Sequence, residues 1–148
     1  MHETLRLYPT VPLTLRTATR DTYIGGHLIP QGVTLVLSMW QMNRSPEVWG
    51  HDAAEFKPER WITGGKPNSN GGASSNYEFL TFLHGPRSCI GQNFAKAEMR
   101  CLLTSMIRTF EWGLAMDESK IIPRGVITIK PANGLFLKLN PLSKEGSS

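Results

Sequence analysis

Apolar residues recur at helical spacing through Phe94, Ala95, Met99, Leu102, Leu103, Met106, Ile107 and Phe110, which predicts an amphipathic helix opening just after Gly91. Upstream the period changes. Leu13-Thr14-Leu15-Arg16-Thr17-Ala18-Thr19 alternates as a strand does. Thr22-Tyr23-Ile24 and His27-Leu28-Ile29 flank Gly25-Gly26, a strong hairpin signal. Val33 to Ser38 reads as another apolar strand, and Met39 to Asn43 and Glu47 to Trp49 as short helical turns. Residues Met1 to about Leu7 read as the end of a helix, stopped near Pro9 and Pro12. Near the C-terminus, Val126 to Lys130 and Leu135 to Leu139 flank Pro131-Ala132-Asn133-Gly134, which predicts a closing hairpin. Thr63 to Asn76 is rich in Gly, Ser and Asn and predicts a mobile loop. The tail from about 141 to 148 is expected to fray. No internal repeat is visible.

Composition narrows the classes. A chain of 148 residues is one domain by length. Its apolar content of 40% is somewhat low for a chain that buries a core. No apolar run is long enough to span a bilayer, and no signal peptide is expected. Two cysteines make no disulfide framework. The net charge of +4 is modest, and no basic helix with interleaved aromatics points to nucleic acid. His2, His27 and His51 show no ligand spacing, so no zinc site is expected.

The chemistry concentrates at Phe82-Leu83-His84-Gly85-Pro86-Arg87-Ser88-Cys89-Ile90-Gly91, which reads F-x-x-G-x-R-x-C-x-G. Average residue usage makes those five fixed positions a coincidence on the order of 10⁻⁷ per starting point. The thiolate, not the thiol, is the metal ligand. Cys89 falls just before the predicted helix, where unsatisfied N–H groups and the positive dipole end favour an anion. Gly85 and Gly91 would permit turns and close approach that a Cβ blocks. Arg87 is a fixed cation suited to a bidentate carboxylate partner. A lone cysteine is more often a small buried hydrophobe, and Cys101, on the helix and without a partner at ligand spacing, keeps that reading and is expected to be packed. Two further motifs precede the loop. Glu3-Thr4-Leu5-Arg6 places a carboxylate and a guanidinium on one helix face, followed by Leu7-Tyr8-Pro9. Phe56-Lys57-Pro58-Glu59-Arg60-Trp61 carries a P-E-R-W segment.

Together, in this order, these motifs resemble the cytochrome P-450 superfamily of haem-thiolate monooxygenases. The likeness runs from Glu3 to about Leu139 and covers only the C-terminal part of the family, with spacing closest to eukaryotic microsomal and fungal members. The implied fold is mainly α with small β-sheets (α+β): the end of the K helix, β hairpins, the meander, the Cys-ligand loop, the L helix and a C-terminal β hairpin. Residues 1–148 would form a partial domain, with 63–76 an insertion in the meander. The resemblance makes Cys89 the axial ligand of haem b iron, Phe82 the aromatic beside the loop, and Arg87 the partner of a haem propionate. Arg16 would reach a second propionate or point outward from its strand. Glu3, Arg6 and Arg60 would form a buried charge network, with Trp61 in place of the usual Phe. His84 would touch the haem edge or stand exposed in the loop. Val11, Pro12, Leu13 and Thr14, with Val126, Ile127 and Thr128, would touch a small hydrophobic organic substrate. Electrons would come from NADPH through a reductase, or from cytochrome b5, docking near Lys96 and Arg100, which share a helix face that solvation explains equally well. Full-length relatives work at the cytosolic face of the endoplasmic reticulum membrane. The family's anchor, helix C and I helix have no counterpart in these residues, so the 148-residue chain alone is expected to lack turnover. The alternative is a non-catalytic truncated product, or a fragment that binds haem or a partner weakly.

Overall fold

The protein is described by a computed structural model covering residues 1–142. It opens with α1 (His2–Leu7), six residues that would be unstable alone. Tertiary burial holds it: Glu3, Leu5, Arg6 and Leu7 are all buried. β1 (Leu13–Thr17) pairs antiparallel with β4 (Thr34–Ser38), with Leu13 opposite Ser38 and Thr17 opposite Thr34. Between them lies the predicted hairpin, β2 (Thr22–Ile24) against β3 (His27–Ile29), turning through Gly25 and Gly26. The short helices α2 (Met39–Met42) and α3 (Pro46–Trp49) follow, the first capped by Ser38. Residues Pro58–Trp61 form a 3-10 turn.

The Gly/Ser/Asn-rich stretch makes turns and one short ladder. β5 (Ile62–Thr63) pairs with β6 (Lys66–Pro67), and Ala73 is buried in the main core cluster with Trp49, Ala53 and Trp61. Asn68 organises the return by donating to the Arg60 carbonyl and accepting from the Gly71 amide. Phe79 completes the cluster, its ring 5.1 Å from Trp61 and 6.3 Å from Trp49.

A 3-10 turn at Gly85–Arg87 leads into α4 (Gln92–Thr109), the predicted long helix. Its apolar side is only partly covered among the described residues: Met99, Leu103 and Met106 are half-buried, and Phe94, Leu102 and Ile107 are exposed. Cys101 is exposed as well, against the expectation of packing, because nothing described lies over that side of the helix.

The closing hairpin is also corrected. β10 (Leu137–Pro141) pairs with β7 (Phe110–Leu114), the strand that leaves α4, placing Leu139 opposite Trp112. Only β8 (Pro123–Arg124) and β9 (Lys130–Pro131) pair across the segment between. Val126, Ile127 and Thr128 lie in a bend rather than a strand, with Val126 and Ile127 strongly exposed. Pro131 has no N–H to give a ladder, which limits how far a strand from Val126 could continue. Pro141 belongs to β10, and residues 143–148 of the expected tail lie outside the described residues.

Candidate functional site

The most heavily bonded point of the structure is the Glu3–Arg6 pair on α1. Arg6 is fully buried and uses all five N–H donors. Two go to the Glu3 carboxylate, at 2.9 and 2.7 Å. The others reach the carbonyls of Asn43, Ala53 and Glu55. The face of Arg6 lies over Trp49, 5.1 Å from the ring centroid. Glu3 accepts further bonds from the Lys57 amide at 2.8 Å and from Trp61 Nε1 at 2.9 Å. Burial alone would raise the Glu3 carboxyl, but the hydrogen bonds from Arg6, Lys57 and Trp61 and the charge on Arg6 outweigh it and hold it below its ordinary value.

Arg60 joins from the 3-10 turn. Its Nη1 donates to the Trp49 carbonyl and its Nη2 to both the carbonyl and the carboxylate of Asp52. Its Nε lies 3.7 Å from Glu3 Oε1 and has no hydrogen-bond partner. Hydrogen bonds from Lys57 and Arg60 hold the Asp52 carboxyl well below the carboxylate range. The structure thus brings Glu3, Arg6 and Arg60 together around one buried carboxylate.

The second centre is the Cys89 loop. Cys89 donates its amide to the Phe82 carbonyl at 2.8 Å, closing the loop on itself. Leu83 sits at φ 60° and Gly85 at φ 77°, so two left-handed positions bend this chain segment. Gly85 has the residue type such a position requires, while Leu83 bears the strain. Gly91, in contrast, lies at φ −84°, and a Cβ there would meet Cys89 Sγ at 3.9 Å, an ordinary contact. Its backbone angle and surroundings therefore do not demand glycine, against the expectation for this position. Gly91 is the N-cap of α4 and offers no side chain to cap it, leaving the first amides of the helix turned toward the Cys89 loop.

Cys89 is exposed and stands at the edge of an apolar cavity of about 210 Å³. Val11, Thr14, Phe82 and Leu83 line it, with Leu5 and Met39 behind. Two distant segments, Val11–Thr14 and the Cys89 loop, are thereby joined, although Pro12 instead accepts from the Trp40 amide and Leu13 is exposed. The third segment approaches only through the Ile129 amide, which donates to the Thr10 carbonyl at 2.8 Å.

The cations divide. Arg87 is exposed and makes no ion pair among the described residues. Arg16 is exposed too and bends back to Thr14 Oγ1 and the Leu15 carbonyl. His84 stands exposed, edge-on to Tyr77 at 4.8 Å. Lys96 lies 5.4 Å from the Phe82 ring centroid, and burial, with Arg100 nearby, lowers its ammonium pKa. These residues fit a haem: a thiol at the edge of an apolar cavity, an aromatic beside it, and an uncommitted guanidinium two residues before the thiol.

Three residues that were not among the expected site residues take part. Trp61 supplies a donor to Glu3 that the usual Phe would lack. Asn43, fully buried, donates to the Arg6 carbonyl at 3.0 Å and to Thr81 Oγ1 at 2.8 Å. Thr81 donates onward to the Leu5 carbonyl at 2.9 Å. Only Trp61 left a trace in the sequence, as a departure from a pattern.

Comparison with known proteins gives the family. The cytochrome P-450 family model matches residues 1–138. The chain is 47% identical over 141 residues to the cytochrome P-450 monooxygenase sphH of Aspergillus fumigatus, covering 95% of this chain and 26% of that one. It is 45% identical to the monooxygenase ptmK of Penicillium ochrochloron, over 95% of this chain and 28% of the relative. Among solved structures, retinoic acid-bound cyanobacterial CYP120A1 superposes with a TM-score of 0.82 at 27% identity, over 95% of this chain and 31% of that chain. The chain therefore spans about a quarter of the length of the curated relatives it matches. With the family model running through both the buried carboxylate and the Cys89 loop, the chain belongs to the cytochrome P-450 family.

Proposed function

We propose that Cys89 is the axial thiolate ligand of a haem b in a monooxygenase of the relatives' full length. The observation that carries this is the exposed Cys89 thiol beside the N-terminus of α4 and at the edge of the apolar cavity. When bound, a haem with a thiolate ligand supplies dioxygen activation, with one oxygen atom entering an organic substrate.

The residues of this chain have binding and orienting roles. The α4 N-terminus stabilises the anionic sulfur. Arg87, which makes no ion pair among the described residues, would hold a propionate, and Arg16, which bonds Thr14 and Leu15, would hold a second one. Phe82 packs beside the sulfur loop, and Val11 and Thr14 form an apolar wall that excludes water from a small hydrophobic substrate. Pro12 and Leu13, between Val11 and Thr14 in sequence, and Val126, Ile127 and Thr128 in the exposed bend would touch the substrate from outside the cavity. Glu3, Arg6 and Arg60 hold the scaffold behind the loop. Lys96 and Arg100 present positive charge to an NADPH-dependent reductase or cytochrome b5, at the endoplasmic reticulum membrane. Among the described residues, no helix is long and apolar enough to cross that membrane.

The test is the reduced, carbon monoxide-bound spectrum of the haem-loaded protein. The unmodified protein is expected to show the Soret position of thiolate ligation. Cys89→Ser is expected to lose it, and Cys101→Ser to keep it. A thiolate spectrum that survives Cys89→Ser would overturn the assignment.

A further inference from the structure

We propose that Asn43 and Thr81 are positioning residues for the Cys89 loop, linking the buried Glu3–Arg6 pair to the Cys89 backbone amide through hydrogen bonds and the Thr81–Phe82 peptide. The proposal rests on the reading of Cys89 as the thiolate ligand.

The chain of contacts is continuous. Arg6 grips the Asn43 carbonyl at 2.7 Å, while the Asn43 side chain returns a bond to the Arg6 carbonyl at 3.0 Å. Its second N–H goes to Thr81 Oγ1 at 2.8 Å. The Thr81 hydroxyl donates its one proton to the Leu5 carbonyl at 2.9 Å, so toward Asn43 it can only accept. Both side-chain donors of Asn43 are committed, whereas its Oδ1 has no partner. The amide is therefore oriented wholly by the groups it donates to.

Thr81 is the residue before Phe82, whose carbonyl receives the Cys89 amide at 2.8 Å. Two residues on, Leu83 holds a left-handed backbone at φ 60°, with its amide bonded to the Leu80 carbonyl. A non-glycine residue persists there only when its surroundings over-determine it. The flanks of this turn offer two anchors: Leu80, which is buried, and the Thr81 hydroxyl. The hydroxyl is the directional one. It ties the turn at once to α1 through Leu5 and to α2's C-cap residue Asn43. Without it, the Phe82 carbonyl loses its fixed position, and the Cys89 amide loses its acceptor.

Thr81→Val keeps the shape and removes the hydroxyl, while Thr81→Ser keeps the hydroxyl and removes a methyl. Both are compared with the unmodified haem-loaded protein by the reduced, carbon monoxide-bound spectrum. Thr81→Val is expected to convert from the thiolate to the thiol form severalfold faster, and Thr81→Ser to match the unmodified protein. Without haem, amide hydrogen exchange at Cys89 is expected to rise about tenfold in Thr81→Val, with the β2–β3 hairpin unchanged. A Thr81→Val protein with unmodified spectrum and exchange would overturn the proposal. So would global unfolding of Thr81→Val, or a Thr81→Ser protein as labile as Thr81→Val, since either assigns Thr81 a packing role. If the unmodified protein shows no thiolate band, the reading of Cys89 fails and this proposal with it. If only the Thr81 variants behave as the unmodified protein does, the reading of Cys89 stands alone.

Discussion

Trp61 shows how one atom alters a buried charge. Its ring fills the aromatic cluster with Trp49 and Phe79, a role that Phe would also fill. Its Nε1–H, however, is one of four donors on the Glu3 carboxylate, beside two from Arg6 and the Lys57 amide. A buried carboxylate that loses one of its donors keeps its desolvation cost with less to offset it. Trp61→Phe is therefore expected to destabilise the protein by about 1.5–3 kcal/mol, the range for hydrogen bonds to charged groups. Arg6→Ala removes the counter-charge itself and is expected to cost more, about 3–5 kcal/mol. Urea unfolding of the two variants checks the order. A Trp61→Phe protein as stable as the unmodified one would show that the indole N–H contributes nothing.

Among the elements, the 63–76 stretch is the instructive one. Its composition reads as loop because Gly, Ser and Asn favour turns, and turns are indeed what it makes. What composition does not show is where the turns are laid. Gly71 is buried at φ 62°, and a Cβ on it would come within 2.8 Å of the Trp61 ring. Gly71→Ala meets both a left-handed backbone, worth about 1–2 kcal/mol, and a collision with a ring wedged in the core. A drop of more than about 2 kcal/mol in thermal or urea unfolding is expected, whereas Gly72→Ala meets only the backbone cost. Local signals were legible: the Gly25-Gly26 hairpin and the start of α4 fall where period and turn chemistry place them. The pairing of β7 with β10 was not, since its partners lie far apart and the Pro131–Gly134 turn offered a nearer one. Cys89, Arg6 and Arg60 were visible through motifs. Asn43 and Thr81 were not, because a buried amide and hydroxyl have no period and no spacing, only partners.

Over the molecule as a whole, the buried charges make folding depend on pH. Glu3 and Asp52, bridged by Arg60, tie α1, the residues after α3 and the 3-10 turn at Pro58–Trp61 into one unit. Both carboxyls have folded-state pKa values below their ordinary ones, Glu3 despite its burial and Asp52 through its bonds from Lys57 and Arg60. The unfolded chain then binds protons before the folded one does. The stability these groups contribute is full above about pH 4, the ordinary carboxylate range, and is lost as pH falls through the folded values. His2 adds an earlier step. Burial lowers its pKa first, and the charges of Lys96, the N-terminus and Arg100 lower it further. Its contribution begins to fall below its ordinary value of 6.5. Lys57 acts in the opposite sense: the hydrogen bond it donates to Asp52 raises it, so its contribution is kept at neutral pH and lost only as pH climbs past the ordinary lysine range. Urea midpoints are therefore expected to hold from about pH 7 to 9, fall slightly near pH 6 and fall steeply below pH 4. Glu3→Gln, less stable at neutral pH, should show a shallower acid limb, and His2→Gln should lose the step near pH 6. An acid limb equally steep in Glu3→Gln would place the titrating charges elsewhere and remove the Glu3 carboxylate from control of folding.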